Sequence, residues 1–356
     1  MTTSTINYQP LKAPVAKSDV SAFRSDVRAG RYGASAAAST TISRILISVA
    51  ALIVVGALAS AIPLVTGGNG AEWFAGFVIM GAAAAAVVVM LVKAHTSWAT
   101  WCQLANFARA NGWAMQPRVA GPPYPGMLFS LGKKRFASER VFGGDDHIFD
   151  IANYQYTTGS GKSSRNHTWH YIAVKLDRRL PNIVLDARAN NGVFGSNLPH
   201  TLAGDQVLSL EGNFDDSFTL YCPSGYERDA LYIFTPDLMA LLIDNVALYD
   251  VEIVDDWMFF YSTKKYEALD ASVWRRMLQI VTVVGAKAAN RTKLYRDERT
   301  VTTGAAPLGA RESTDNRVAT PGRRLRRGVN WTLIVVIGLA VAYWIASRVL
   351  PVVFAN

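Results

Sequence analysis

The sequence predicts an α+β fold, a mainly antiparallel sheet packed by helices, anchored by three transmembrane helices. Three observations predict it. Three apolar runs, at residues 45–65, 73–92 and 331–350, each come close to the 20 or so residues needed to cross hydrocarbon. Residues 96–295 have ordinary globular composition, with strand-like alternation first and helical periodicity later. The surplus of positive charge lies outside that middle stretch, in the segments that flank the apolar runs.

The chain has 356 residues, is 50% hydrophobic and carries a formal charge of +9. Residues 96–295 hold equal numbers of basic and acidic side chains, so the whole excess belongs to residues 1–95 and 296–356. A nucleic-acid module would carry its charge on the folded domain, so no nucleic-acid partner is expected. Basic residues beside an apolar run set orientation and attract anionic lipid. Two cysteines, Cys102 and Cys222, provide no disulfide framework and read as reduced thiols in a cytosol.

In chain order, residues 1–44 read as a disordered basic tail, rich in Ser, Thr and Ala and without a periodic apolar face. Residues 45–95 read as a two-helix transmembrane hairpin around the Gly-rich turn at 66–70. The Ala82–Ala86 run suits close helix packing, and Trp73, Trp98 and Trp101 suit interfacial belts. Ala59-Ser60-Ala61 has the form of a signal cleavage site, but the apolar core is too long and the basic region before it far too long for a signal peptide. Residues 96–295 are the α+β domain, entered by a stalk helix that ends at Asn111-Gly112. Residues 296–328 form a flexible Arg-rich tether, and 329–356 a third span with a short outer tail.

Within the domain, strands are predicted at 127–131, 136–142, 147–157, 168–177, 182–187, 206–210, 217–221 and 230–234. Thr235-Pro236-Asp237 starts a helix, with Thr as cap, Pro in the first turn and an acid beside the positive helix end. Residues 251–254 and 257–262 read as a hairpin around Asp255-Asp256. A last helix from Asp270 buries Val273, Met277, Ile280, Val281, Val284 and Ala288.

Orientation follows from arginine. Arg24, Arg28, Arg31 and Arg44 precede the first run, the 66–70 turn has no basic residue, Lys93 follows the second run, and Arg323, Arg324, Arg326 and Arg327 precede the third. The expected localisation is an integral plasma (inner) membrane protein with three spans, its N-terminus and soluble domain cytoplasmic and its C-terminus outside. The four arginines at 323–327 are candidate contacts to anionic lipid.

No stretch carries a strong chemical signature. Gly159-Ser160-Gly161-Lys162-Ser163 lacks the leading glycine of a phosphate loop, having Tyr156 there, and a strand rather than a helix follows. His167 and His170 point to opposite faces if they sit on a strand. Asp145-Asp146, Asp215-Asp216 and Asp255-Asp256 read as solvated turns, and Trp257, Phe259 and Tyr261 as one face of a strand. No catalytic residue, metal ligand or cofactor-binding residue is assigned, and no cofactor is expected.

One order of residues is familiar: Leu210-Glu211-Gly212-Asn213-Phe214, Phe218, Tyr221, Tyr226-Glu227-Arg228-Asp229-Ala230-Leu231, Thr235-Pro236-Asp237-Leu238-Met239, Val251-Glu252-Ile253 and Trp257-Met258-Phe259-Phe260-Tyr261. It resembles a family of uncharacterised bacterial membrane proteins, actinobacterial in composition, with a domain of unknown function behind paired N-terminal spans. The resemblance covers the second half of the soluble domain and implies no activity. The third span and the Arg-rich tether depart from that layout.

Together these readings predict a membrane-tethered cytoplasmic binding or scaffold domain, with the lipid bilayer and other membrane or envelope proteins as partners. The absent motifs argue against an enzyme. The alternatives are an enzyme acting on a lipid-linked substrate at the inner leaflet, and a small-molecule sensor signalling through the stalk.

Overall fold

A computed structural model describes residues 6–38, 97–144, 148–192, 195–300 and 316–328, with scattered helical positions between 55 and 85 and between 335 and 347. The three expected spans fall mostly outside the described residues. Among the described residues no helix is long and apolar enough to cross a membrane.

Seven strands form an antiparallel sheet: β1 Ala114–Ala120, β2 Lys133–Gly143, β3 Phe149–Thr158, β4 Arg165–Ala187, β5 Val207–Leu208, β6 Phe218–Tyr221 and β7 Asp250–Ser262. Their order is β1-β2-β3-β4-β6-β5, and β7 also pairs with β4. With its helices this is the expected α+β class. The chain divides into two compact units. The first comprises Met1–Pro122, Gly132–His170 and Lys264–Arg275, and the second comprises Pro123–Leu131, Tyr171–Thr263 and Arg276–Asn356.

In the first unit the tail expected to be disordered is helical at Gln9–Lys12 and Lys17–Arg28. Val20, Phe23 and Val27 are buried on one face at helical spacing. That stripe is only three residues long, too short to stand out from a polar background. It packs on the 97–110 helix, the expected stalk, where Phe23 meets Trp98 edge-on at 6.3 Å and the Arg24 guanidinium lies 5.1 Å from the Trp98 ring centre. Asn7 and Asn111 exchange two hydrogen bonds: the Asn7 N–H donates to Oδ1 at 2.7 Å, and Asn111 Nδ2 donates to the Asn7 carbonyl at 3.0 Å.

Strands β1, β2 and β3 form a meander. The sequence reading missed β1 because Pro117 interrupts it. Proline is tolerated there because β1 is at the end of the strand order, so its lost N–H leaves no ladder bond unmade. β2 is irregular between Ser138 and Val141, and Glu139 there has a φ of 55°. This bulge lets the Glu139 carbonyl accept the Tyr266 hydroxyl and its carboxylate accept Asn153 Nδ2 at 2.5 Å. Trp274, fully buried, closes this core against Phe107 and Tyr266 and donates its indole N–H to the Ala268 carbonyl at 2.8 Å.

The second unit corrects three expectations. Residues 127–131, expected as a strand, form a 3-10 turn at Met127–Ser130, because the Met127 N–H is taken by the Glu252 carboxylate rather than by a neighbouring strand. Residues 230–234 belong to a helix, Glu227–Ile233, whose first turn holds Glu227 and Asp229 where a helix start favours acids. The apolar run Ala-Leu-Tyr-Ile-Phe is too short for periodicity to decide between strand and helix. Asp255-Asp256 does not reverse the chain. Strand β7 runs straight through with Asp255 at φ 52°, a conformation aspartate tolerates, while Asp256 pairs with Lys175 at 2.6 Å and Asp255 with Arg324 at 3.3 Å.

The helix at Pro236–Val246 starts at Thr235 as expected, and Leu238, Leu242 and Val246 are its buried face. The last helix holds a π-helical segment, Ile280–Gly285, facing β4. A side chain at Gly285 would approach Val174 to 3.0 Å, so the absent Cβ lets helix and strand come together. Trp257, Phe259 and Tyr261 stack along β7 with centroid spacings of 6.1 and 5.7 Å, and Phe259 and Tyr261 are buried.

Candidate functional site

An open groove of about 920 Å³ in the second unit is lined by Arg228, Asp229, Leu231, Tyr232, Leu294 and Arg299 among others. A smaller hollow of about 330 Å³ shares Tyr232 and Leu294 and adds Lys287, Asn290 and Arg291. Leu294 is 80% exposed and Leu231 53%, in a turn and a helical position. The result is an apolar strip with a cationic rim.

The rim is held rigidly from beneath. Tyr295 donates its hydroxyl to Asp229 at 2.7 Å, and Tyr226 donates its hydroxyl to Asp297 at 2.8 Å. The Arg299 guanidinium bridges both acids, at 3.0 Å to Asp229 and 3.2 Å to Asp297, and sits 3.9 Å from the Tyr226 ring centre. Burial pushes the Asp297 carboxyl up, but hydrogen bonds from the Ala319 N–H, Tyr226 and Arg299 outweigh it and hold the group below the usual range. Burial and then the bond to Asp229 push the Tyr295 phenol well up, so it stays a donor. Arg291 covers the exposed edge of Tyr232 at 4.2 Å. These contacts spend Asp229 and Asp297 on structure and leave Arg228 and Glu298, both exposed, on the rim.

The arginine run lies on the same unit. Residues 301–315 of the expected tether are outside the described residues, while 316–328 are strapped down. The Ala203 N–H donates to the Arg326 carbonyl at 3.0 Å, the Gly328 N–H donates to the Thr201 carbonyl at 2.9 Å, and Gln206 accepts the Arg326 N–H at 2.8 Å. Gly322 presses on the Tyr226 ring, leaving no room for a side chain. Arg323 donates to the Val318 carbonyl at 2.9 Å, Arg324 pairs with Asp255, and Arg326 pairs with Asp205. Arg327 Nη2 lies 3.1 Å from His200 Nε2, and burial and then the Arg327 charge push the His200 ring's pKa down. The four arginines remain exposed, on one strap rather than in one pocket.

Glu252, 3% exposed in β7, was not singled out as a site by its sequence context. Its carboxylate accepts the Met127 N–H at 2.7 Å, the Tyr261 hydroxyl at 2.9 Å and Asn182 Nδ2 at 3.3 Å, while Asn182 Oδ1 accepts the Leu325 N–H at 3.1 Å. The available signal was a lone acid at the centre of Val-Glu-Ile-Val. Gly126 makes this knot possible, since a Cβ there would collide with the Tyr261 hydroxyl and come within 3.1 Å of Glu252 and Phe259. Gly126→Ala is expected to cost about 1–3 kcal/mol, read as a lower unfolding midpoint of the purified chain; an unchanged midpoint would show that the knot yields freely.

The other motifs do not converge. Gly161–Ser163 is a 3-10 turn in the β3–β4 hairpin loop. His167 bonds Thr158 at 2.7 Å across that hairpin, while buried His170 bonds the Lys264 carbonyl. Asp215 bonds Ser209 and the Leu210 N–H, bracing a turn, and Asp145, Asp146 and His147 lie outside the described residues. Cys102 and Cys222 are buried and unpaired with each other. Among the described residues no three His, Cys, Asp or Glu side chains are grouped to hold a metal.

No protein-family model matches this chain, and no curated protein matches it. Among solved structures it is similar to the mycobacterial trehalose monomycolate transport factor A, TtfA, at 11% identity and a TM-score of 0.37, over 53% of this chain and 92% of that one.

Proposed function

We propose that the chain is a membrane-tethered binding module, with its soluble part on the cytoplasmic face of the inner membrane and three spans at 45–65, 73–92 and 331–350. The observation that carries the binding role is the exposed Leu231–Tyr232–Leu294 strip beneath a basic rim. An apolar floor rewards an aliphatic or aromatic group, and Arg228 and Arg291 reward an adjacent negative charge, so the groove suits an amphipathic ligand with an acidic end. The preceding arginine strap supports the tethering. It is bonded to the fold up to Gly328, three residues before the third apolar run, and so would hold Arg323, Arg324, Arg326 and Arg327 near anionic headgroups. Other membrane or envelope proteins are the partners this geometry would recruit.

The test is site-specific photo-crosslinking. Benzoylphenylalanine at Leu294, in native membranes, is expected to trap one dominant species, lost at least about tenfold when Arg228 and Arg291 are both changed to Glu, a loss that takes only about 1.4 kcal/mol. Diffuse labelling, or a yield indifferent to those charges, would remove the groove as the binding surface.

A further inference from the structure

A second feature of the same unit has no part in the groove. Where β4 ends, the chain turns through Arg188–Asn190, and residues 195–197 return past the turn. Two acids meet there: Asp186 at the end of β4, 3% exposed, and Asp250 at the start of β7, fully buried. The strands place them side by side, since the Ala187 N–H donates to Asp250 Oδ1 at 3.0 Å. Asn190 Nδ2 donates to the same oxygen at 3.2 Å and to the Leu248 carbonyl at 3.3 Å. Asn197 Nδ2 donates to the Asn190 carbonyl at 3.3 Å, and its backbone N–H donates to Asn191 Oδ1 at 3.0 Å.

These donations fix which way both amides face, because each nitrogen is already committed. What remains is a set of buried oxygens that accept nothing from the protein: Asp186 Oδ1, Asp250 Oδ2, Asn190 Oδ1 and Asn197 Oδ1. All four fall in this one corner, and all four are acceptors. Two buried carboxylates side by side repel. Ser196 and Asn191 hydrogen-bond Asp186 and the Arg188 charge lies near it, while Asp250 is met only by the Ala187 N–H and Asn190 among the described residues. Carboxylate and amide oxygens without sulfur or imidazole are the donor set of a hard cation. Two strand ends and an irregular loop supplying two oxygens each, with waters completing the shell, suit the larger and more tolerant Ca²⁺ over Mg²⁺.

We propose that Asp186, Asp250, Asn190 and Asn197 bind one calcium ion, which locks the end of β4 to the start of β7.

The experiment uses the full chain in detergent, stripped with chelator and dialysed against radioactive calcium chloride. About one ion per chain is expected, with Ca²⁺ raising the unfolding midpoint and Mg²⁺ failing to do so at equal concentration. Asn197→Ala, mild enough to leave the two acids in place, is expected to weaken calcium binding at least tenfold, and Asp186→Asn to abolish it. Should Asp186→Asn fail to fold, the Asn197→Ala affinity alone decides. No bound calcium at millimolar concentration, a preference for Mg²⁺, or equal binding by the wild type and Asn197→Ala would each overturn the assignment. In the first case a shared proton and water fill the corner instead.

Discussion

Replacing Glu252 by alanine is expected to destabilise the second unit by about 3–5 kcal/mol. The side chain accepts three hydrogen bonds from groups that have no water to turn to: Met127 N–H, the buried Tyr261 hydroxyl and buried Asn182 Nδ2. Truncation strands these donors and opens a cavity, and each stranded donor costs about 1–3 kcal/mol. Glu252→Gln is expected to lose less than a third of that. Burial pushes the Glu252 carboxyl up to about 7, against the pull of Met127, Tyr261, Asn182 and Arg324, so a neutral side chain of the same shape is close to what the site already accepts. Hydrogen exchange in β4 and β7 reads the effect locally. Equal protection in the alanine and glutamine variants would mean that the 123–131 segment holds to the unit without this acid.

The second large effect concerns pH and the first unit. His170 is buried, and burial lowers its ring to about 4 from 6.5, only partly offset by the bond to the Lys264 carbonyl. The neutral form is therefore the one the fold accepts. The unfolded chain takes up a proton as pH falls through 6.5, whereas the folded chain resists until about pH 4. Stability from this group is complete above pH 6.5, drains away between 6.5 and 4, and is flat below, a loss of about 3 kcal/mol. His170→Gln, whose amide can still donate to the Lys264 carbonyl, is expected to lack that loss. Denaturant midpoints of both proteins from pH 7.5 to 4 give the comparison, in which the carboxylates common to both cancel. Parallel curves would show that the fold leaves the His170 ring at its unfolded pKa.

The parts of the fold legible in the sequence are those where local chemistry and tertiary context agree. Thr235-Pro236-Asp237 starts a helix because the proline's fixed φ and an acid act within one turn, with the Thr235 hydroxyl bonding Asp237 rather than capping a backbone N–H. The β3–β4 hairpin was readable from long β-branched and aromatic runs flanking a Gly/Ser/Asn-rich loop. Of the expected stripe, Met277, Ile280, Val281, Val284 and Ala288 are buried as their spacing requires, while Val273 at its start is half-buried. Reading failed where a distant partner decided. Residues 127–131 have strand composition but lose their backbone N–H to a carboxylate 125 positions away. Asp255-Asp256 has turn chemistry, yet β4 holds both halves of β7 in one strand. The helix at Lys17–Arg28 has three apolar contacts, significant only beside the 97–110 helix.

For the candidate sites the division is sharper. Residue types, net charge, the apolar runs and the position of the arginines are properties of the chain, and they led by themselves to the α+β class and to an arginine-rich segment expected to be a flexible tether, which the fold instead straps down from 316 to 328. The groove combines Leu231 and Leu294, and the proposed calcium corner combines Asp186 with Asp250, each pair more than sixty positions apart. Neither pairing has a local pattern, because strand pairing and helix packing bring such residues together. Only the tertiary structure decided which leucines stay in water and which carboxylate oxygens are left buried without a donor.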